Sequence, residues 1–212
     1  MPRFLPLCLL LAATPLLAVE PGDDLAYALG ARLGERLRGE VPGLNVEELL
    51  TGLRQAYRGE TLRLDARHID HLLAEHEVHQ QDAEVERAMA RERRFLANEK
   101  ARPGVRELAG GVLRSELRAG LGARPKADGR VRVRYAGWLA DGSLFDESQA
   151  PQWFKLDSVI AGWRTALLEM PTGAKWRLVI PSAQAYGAQG AGDLIPPHTP
   201  LVFEVELLEV AD

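Results

Sequence analysis

Leu25, Leu29, Leu33 and Leu37 recur at every fourth residue behind Asp23 and Asp24, which predicts an amphipathic helix. Gly39 and Val41-Pro42-Gly43 end it. Asn45, with Glu48 three residues on, has the form of a capping box. It opens a second helix with Leu49, Leu50, Leu53 and Tyr57 as its apolar positions, and Gly59 stops it. Two short amphipathic helices cannot bury both stripes by themselves, so each needs a partner. From Asp65 to about Glu99 there is neither Pro nor Gly, and helix formers dominate. This predicts one helix of roughly 50 Å at about 1.5 Å per residue. Ile69, Leu72 and Leu73 give its start an apolar face, whereas Val85, Met89, Phe95 and Leu96 lie sparsely among charges. The expectation is a docked start and a solvated stalk, closed by Pro103-Gly104.

From Val105 the period changes to that of strands. Val112 to Arg118 alternates, and Gly120-Leu121-Gly122 with Pro125 makes a turn. Val131, Val133 and Tyr135 share one face of a strictly alternating strand. Asp141-Gly142 marks a hairpin. A short strand is expected around Phe154-Leu156, a short helix over Ala161 to Met170, and further strands over Lys175 to Ile180 and Leu201 to Val210. The carboxy-terminal half therefore reads as an antiparallel sheet with one helix across a face, and the whole chain as α+β with an all-α amino-terminal region.

Composition narrows the function. Net charge is −4, which gives no electrostatic footprint for nucleic acid. The single Cys, Cys8, excludes an internal disulfide framework. Arg3, an apolar run from Phe4 to Leu17 and the small Ala18 before a polar turn have the form of a secretory signal peptide over residues 1–18. The run is too short to span a bilayer comfortably, so no membrane span is expected after cleavage. Cys8 lies within the run and not at its end, which argues against a lipoprotein anchor. His68/His71 and His76/His79 are pairs that can touch on a helix face. They read as the polar side of a solvated helix, because one helix cannot wrap an ion. No P-loop, dinucleotide Gly motif, Cys nucleophile or His-Glu-x-x-His occurs, and His198, after Pro196-Pro197, has no evident Ser or Asp partner. No cofactor and no metal are expected.

Six local motifs then stand in one order: Val133-Arg134-Tyr135-Ala136-Gly137, Asp141-Gly142-Ser143-Leu144-Phe145-Asp146, Val159-Ile160-Ala161-Gly162-Trp163, Ala185-Tyr186-Gly187, Ile195-Pro196-Pro197 and Leu201-Val202-Phe203, with the strand alternation between them. In this order they resemble the FKBP family of peptidyl-prolyl isomerases. The two short helices and the long one ahead of them resemble the dimerisation region of its macrophage-infectivity-potentiator type. Leu25-Ala26-Tyr27-Ala28-Leu29-Gly30 and Phe95-Leu96-Ala97-Asn98-Glu99 match at the start and end of that region. The resemblance implies four segments: a signal peptide over 1–18, a helical dimerisation region over 19–64, a long connecting helix over 65–104, and an isomerase domain over 105–212. It implies a homodimer through the amino-terminal helices. It also implies proline-containing unfolded or partly folded polypeptides as substrates and macrolides as inhibitors. Export would lead to the periplasm, with outer-membrane association or secretion as further destinations.

Carried over residue by residue, the resemblance makes Asp146, Tyr186 and Trp163 catalytic. Tyr135, Phe145, Val159, Ile160, Leu194, Ile195 and Phe203 would bind substrate, with Trp163 as the pocket floor. Outside this pattern Phe145, Phe203 and Val159 would read as plain core, Tyr135 as a core tyrosine and Asp146 as a loop cap. The chain departs from the family at Ala191, where a His is frequent, at Leu194, where Ile is usual, and around Gln152, where many members present an aromatic. Counting back from Val159 makes Phe154 a packing residue and sets Gln152 near the rim.

The chemistry suits such a pocket. An X–Pro bond must twist against a barrier of about 18–20 kcal/mol that comes from amide resonance. A catalyst need only favour the twisted amide over the planar one. Water on the carbonyl oxygen stabilises the planar, charge-separated form, so a dry aromatic cavity favours the twist. The resemblance implies that the Ile160 N–H and the Tyr186 hydroxyl hold substrate carbonyls. Asp146 would set negative charge near the twisting carbonyl carbon. The alternative from a different class is a dimeric periplasmic holdase with weak or no isomerase activity.

Overall fold

Asn45 begins α2 by its side chain: its Oδ1 accepts from the amides of Glu47 and Glu48 at 3.1 and 3.3 Å. Glu48 itself meets Arg63 at 2.9 Å. The computed structural model describes residues 21–212, so the leader read over residues 1–18 lies outside the described residues. The chain forms two compact units divided after Ile69. The first contains α1 (Pro21–Glu40), α2 (Val46–Arg58) and the start of α3 (Ala66–Lys100). No described residue of α1 or α2 is fully buried, and Leu25, Leu29, Leu50, Leu53 and Tyr57 all stand exposed. Among the described residues nothing buries the stripes that wanted a partner.

Asp65 caps α3 by accepting from the His68 amide at 2.9 Å. Two of the four histidines of its first half engage local side chains, His71 with Glu75 at 3.3 Å and His76 with Gln80 at 2.7 Å. Among the described residues no group of three metal-ligating side chains converges.

The second unit is built on one antiparallel sheet. Its strands are β1 (Val105–Glu107), β2 (Leu113–Arg118), β3 (Arg130–Leu139), β4 (Leu144–Glu147), β5 (Gln152–Lys155), β6 (Lys175–Ile180) and β7 (Leu201–Ala211). They lie in the order β1-β2-β6-β7-β3-β4, with β5 also paired to β3. The long β3–β7 pair forms the spine and runs from Arg130 opposite Ala211 to Leu139 opposite Leu201. α4 (Ala161–Glu169) lies across one face and buries Gly162, Trp163, Ala166 and Leu167. The alternation explains this face. Val131 and Val133 of β3, Trp176, Leu178 and Ile180 of β6, and Leu201, Phe203, Val205 and Leu207 of β7 point together into the core. Burying each such side chain contributes roughly 1.5–3 kcal/mol.

The other face explains a correction. The start of α3 was expected to dock, yet Leu72 and Leu73 are exposed, and the docked part is its end. Phe95 and Leu96 pack on Leu113, Val179 and Val202, which leave the sheet on the side opposite α4. Density of leucines misled the reading; two apolar residues suffice where a sheet face waits for them. Polar contacts complete the seam. Glu99, buried, takes hydrogen bonds from Arg102 at 3.0 and 3.1 Å and from Arg177 at 2.6 Å. Lys100 pairs with Glu107.

Candidate active site

A cavity of about 190 Å³ opens between α4, the inner face of β3 and β7, and the loops beside them. It is lined by Tyr135, Phe145, Asp146, Phe154, Ser158, Val159, Ile160, Trp163, Tyr186 and Phe203. Sites that bury drug-sized ligands run to roughly 300–1,000 Å³, so this cavity suits one ring-sized group.

Trp163 is its centre. The residue is only 5% exposed, because α4 begins at Ala161 and carries it straight down onto the sheet. Its ring meets Tyr135 at 5.0 Å, Phe203 at 5.3 Å and Phe154 at 5.8 Å between centroids, each edge to face. Phe145 closes on Phe203 at 5.5 Å in the same manner. Such pairs contribute about 0.5–1.5 kcal/mol each beyond the area they bury. The closeness depends on Gly137. A Cβ there would sit 2.7 Å from the Phe203 ring and 2.8 Å from that of Phe145.

The polar edge is fixed by β3 and β4. Gly137 stands opposite Asp146, which brings Asp146 to the rim. The Tyr135 hydroxyl donates to Asp146 Oδ2 at 2.8 Å. Ser148 pins the Tyr135 backbone from both sides: its Oγ accepts from the Tyr135 amide at 2.9 Å, and its amide donates to the Tyr135 carbonyl at 2.9 Å. Burial, the hydrogen bond to Asp146 and the nearby charges of Asp146 and Tyr186 push the Tyr135 phenol from 10.0 up to about 12. Between these values the folded protein keeps a proton that the unfolded chain loses. The phenol's contribution to stability is therefore complete below pH 10 and lost as pH rises towards 12. In a spectroscopic titration of the four tyrosines, Tyr135→Phe is expected to remove the last step to ionise. Loss of a step near pH 10 instead would contradict the Tyr135–Asp146 bond.

Tyr186 reaches the cavity from a loop. It follows a turn of 3-10 helix over Ser182–Gln184, and its segment returns through a bridge in which Ala191 and Ile195 exchange backbone bonds at 2.8 and 3.2 Å. Gly190 makes the return possible at φ +65°, where a side chain would be strained and would also strike the Ile195 carbonyl.

Comparison with known proteins gives the family of the chain. A family model described as FKBP-type peptidyl-prolyl cis-trans isomerase matches residues 122–208. One described as the domain amino terminal to FKBP-type peptidyl-prolyl isomerase matches residues 22–113. A probable FKBP-type 25 kDa peptidyl-prolyl cis-trans isomerase of Pseudomonas aeruginosa is 61% identical over 208 residues, 98% of this chain and 91% of its own. This chain belongs to the FKBP-type peptidyl-prolyl cis-trans isomerases. The family includes the peptidyl-prolyl cis-trans isomerase Mip of Coxiella burnetii, 34% identical over 215 residues, 94% of this chain and 90% of that one. The crystal structure of FkpA from Escherichia coli matches with a TM-score of 0.63 and 32% identity, over 91% of this chain and 97% of the other. The FKBP-like fold, with helices ahead of the sheet, is thus shared, and the chain is an enzyme of prolyl cis-trans isomerisation.

Within this FKBP-type domain, eight of the ten residues singled out from sequence lie together around the cavity: Asp146, Tyr186, Trp163, Tyr135, Phe145, Val159, Ile160 and Phe203. Two do not. Leu194 is 66% exposed on the loop, outside the lining, and Ile195 is buried in the core beside it. Phe154, read only as packing, lines the cavity together with Ser158. Gln152 pairs with Val133 at the far end of β5 and does not line it. The alternation of Gln152-Trp153-Phe154 could have assigned Phe154 to the inner face, since Phe154 stands opposite Val131. Gly137 stood in the Val133–Gly137 motif without a role of its own, and the support from Ser148 gave no chemical signal in the sequence.

Proposed function

We propose that the enzyme assists the folding of exported proteins by twisting X–Pro amides in the cavity around Trp163. The observation that carries this reading is the pairing of a ring-lined, ring-sized cavity with an acid held at its rim. Phe145, Phe154, Trp163 and Phe203 would surround the proline ring and keep water from its carbonyl. Tyr135 orients the Asp146 carboxylate beside the twisting amide, where it would favour the less resonant, more ketone-like carbon. The Tyr186 hydroxyl and the Ile160 amide would hold the flanking carbonyls, and macrolide inhibitors would compete for the same walls. Each such hydrogen bond, if made better in the twisted state, is worth about tenfold in rate for every 1.4 kcal/mol.

Cis/trans exchange of an X–Pro peptide, followed by NMR, tests this directly. Fast exchange is expected for the protein without residues 1–18, with kcat/KM lower by about ten- to a hundredfold in Asp146→Ala and by about threefold to tenfold in Tyr186→Phe. A folded protein with no exchange across several residues before proline would favour the holdase alternative.

The exposed stripes of α1 and α2 support a homodimer through these helices. Light scattering is expected to give about twice the mass of one chain, and Leu29→Glu with Leu53→Glu to give monomers. A monomeric wild type at every concentration would remove the dimer. The signal-peptide pattern of residues 1–18 supports export to the periplasm, and among the described residues no helix is long and apolar enough to cross a membrane.

A further inference from the structure

We propose that Glu92, on the long helix, is a positioning residue for turnover: it fixes the turn that presents Tyr186 to the cavity. The proposal rests on the reading of Tyr186 as a substrate-holding group.

The turn over Ser182–Gln184 has an uncapped start. Pro181 precedes it and has no side-chain acceptor, so the Ser182 amide needs a partner from elsewhere. Glu92 supplies one from 90 positions away in sequence. The Ser182 amide donates to Glu92 Oε1 at 2.6 Å, and the Ser182 hydroxyl donates to Oε2 at 2.9 Å. Both are charge-assisted bonds at a buried residue, only 4% exposed, where a two-point grip fixes orientation as well as position.

The fixed residue in turn holds Tyr186. The Ser182 carbonyl accepts from the Ala185 amide at 2.9 Å and from the Gly187 amide at 2.8 Å. These two amides flank Tyr186 on either side. Tyr186 itself is 41% exposed, so packing alone does little to fix it. A continuous path of short bonds therefore runs from Glu92 through Ser182 to both neighbours of Tyr186. The Gly187 carbonyl is held from the opposite direction by the His198 amide at 2.9 Å. The Ser182 branch is the one anchored on α3.

The test uses the full chain without residues 1–18, with Glu92→Ala, Glu92→Gln and Ser182→Ala, each alone and combined with Tyr186→Phe. Two quantities are read: kcat and KM for an X–Pro peptide, and hydrogen exchange at the Ala185 and Gly187 amides. Glu92→Ala is expected to lower kcat/KM by about five- to tenfold and to speed exchange at both amides by about tenfold or more. Exchange at the β6 amides should not change. Glu92→Gln, which can still accept from the Ser182 amide, should stay within about twofold of wild type. Beside Tyr186→Phe, Glu92→Ala should cost less than about twofold, since coupled residues are not additive. Ser182→Ala removes one of the two bonds and carries the test if Glu92→Ala does not fold, with an expected loss of about threefold. Unchanged exchange at Ala185 and Gly187 in the Ala variants would overturn the proposal. So would a rate loss of the same size with and without the Tyr186 hydroxyl. Wild-type turnover in Tyr186→Phe alone would instead remove the reading of Tyr186, while exchange would still report whether Glu92 holds the turn.

Discussion

Trp163→Ala is expected to cost about 3–5 kcal/mol of stability. The ring is the hub of the aromatic cluster, in edge-to-face contact with Tyr135, Phe154 and Phe203, and almost no water reaches it. Removing it leaves a void that α4 cannot close, because Ala166 and Leu167 already hold the helix against the sheet. Domains are stable by only about 5–15 kcal/mol, so the loss is a large share of the total. Turnover should fall as well, since a cavity without its floor admits water to the amide. Trp163→Phe keeps an aromatic floor and separates the two effects: most stability should return, with a smaller loss of turnover. Chemical denaturation of both variants gives the measurement. A change below about 1 kcal/mol in the Ala variant would show that the cluster does not depend on Trp163.

Glu99→Ala should cost about 2–3 kcal/mol at neutral pH. Burial raises the Glu99 carboxyl, but hydrogen bonds from Arg177 and Arg102, together with their charges, outweigh it and hold the group below the usual carboxylate range. The unfolded chain therefore takes up a proton at this site before the folded protein does. The contribution of Glu99 is complete above the unfolded value near 4.5 and is lost as pH falls through the lower folded value. Wild type and variant should differ most at pH 7 and converge in acid. A difference that stays constant from pH 7 into acid would mean that packing of the Glu99 stem, and not its charge, holds the end of α3.

The strands of the second unit were legible because each keeps one face in the core. Lys175–Ile180 keeps Trp176, Leu178 and Ile180 on one face, with Val179 the one further buried residue on the other, and β3 keeps its period through Val131, Val133 and Tyr135. The helices were legible from Asn45, Asp65 and the long run without Gly or Pro. Periodicity could not say which part of α3 docks, because it ranks apolar residues by number and ignores the surface that awaits them. Phe95 and Leu96 matter through Val179 and Val202, residues 83 to 107 positions further along the chain. The site was legible where short motifs carry its residues. It was not legible at Leu194 and Ile195, where side-chain direction depends on how the Gly190 loop returns. Nor was it legible at Ser148 or Glu92, whose partners are brought to them only by the fold.

The wall formed by Phe154 and Ser158 has an attachment unlike that of the floor. β5 joins the sheet through four residues opposite the outer edge of β3, between a loop after Glu147 and a turn before Ile160. The floor hangs instead on α4 and the long β3–β7 spine, and the Tyr135–Asp146 pair ties that spine to β4. On the proposed function, the wall beside the proline and the acid at the rim would therefore be mounted on different strands. A graft that exchanges residues 148–158 for another sequence of equal length, with Ser148, Phe154 and Leu156 retained, would retune which side chains are accepted beside the proline. The machinery that twists the bond would be left in its original setting.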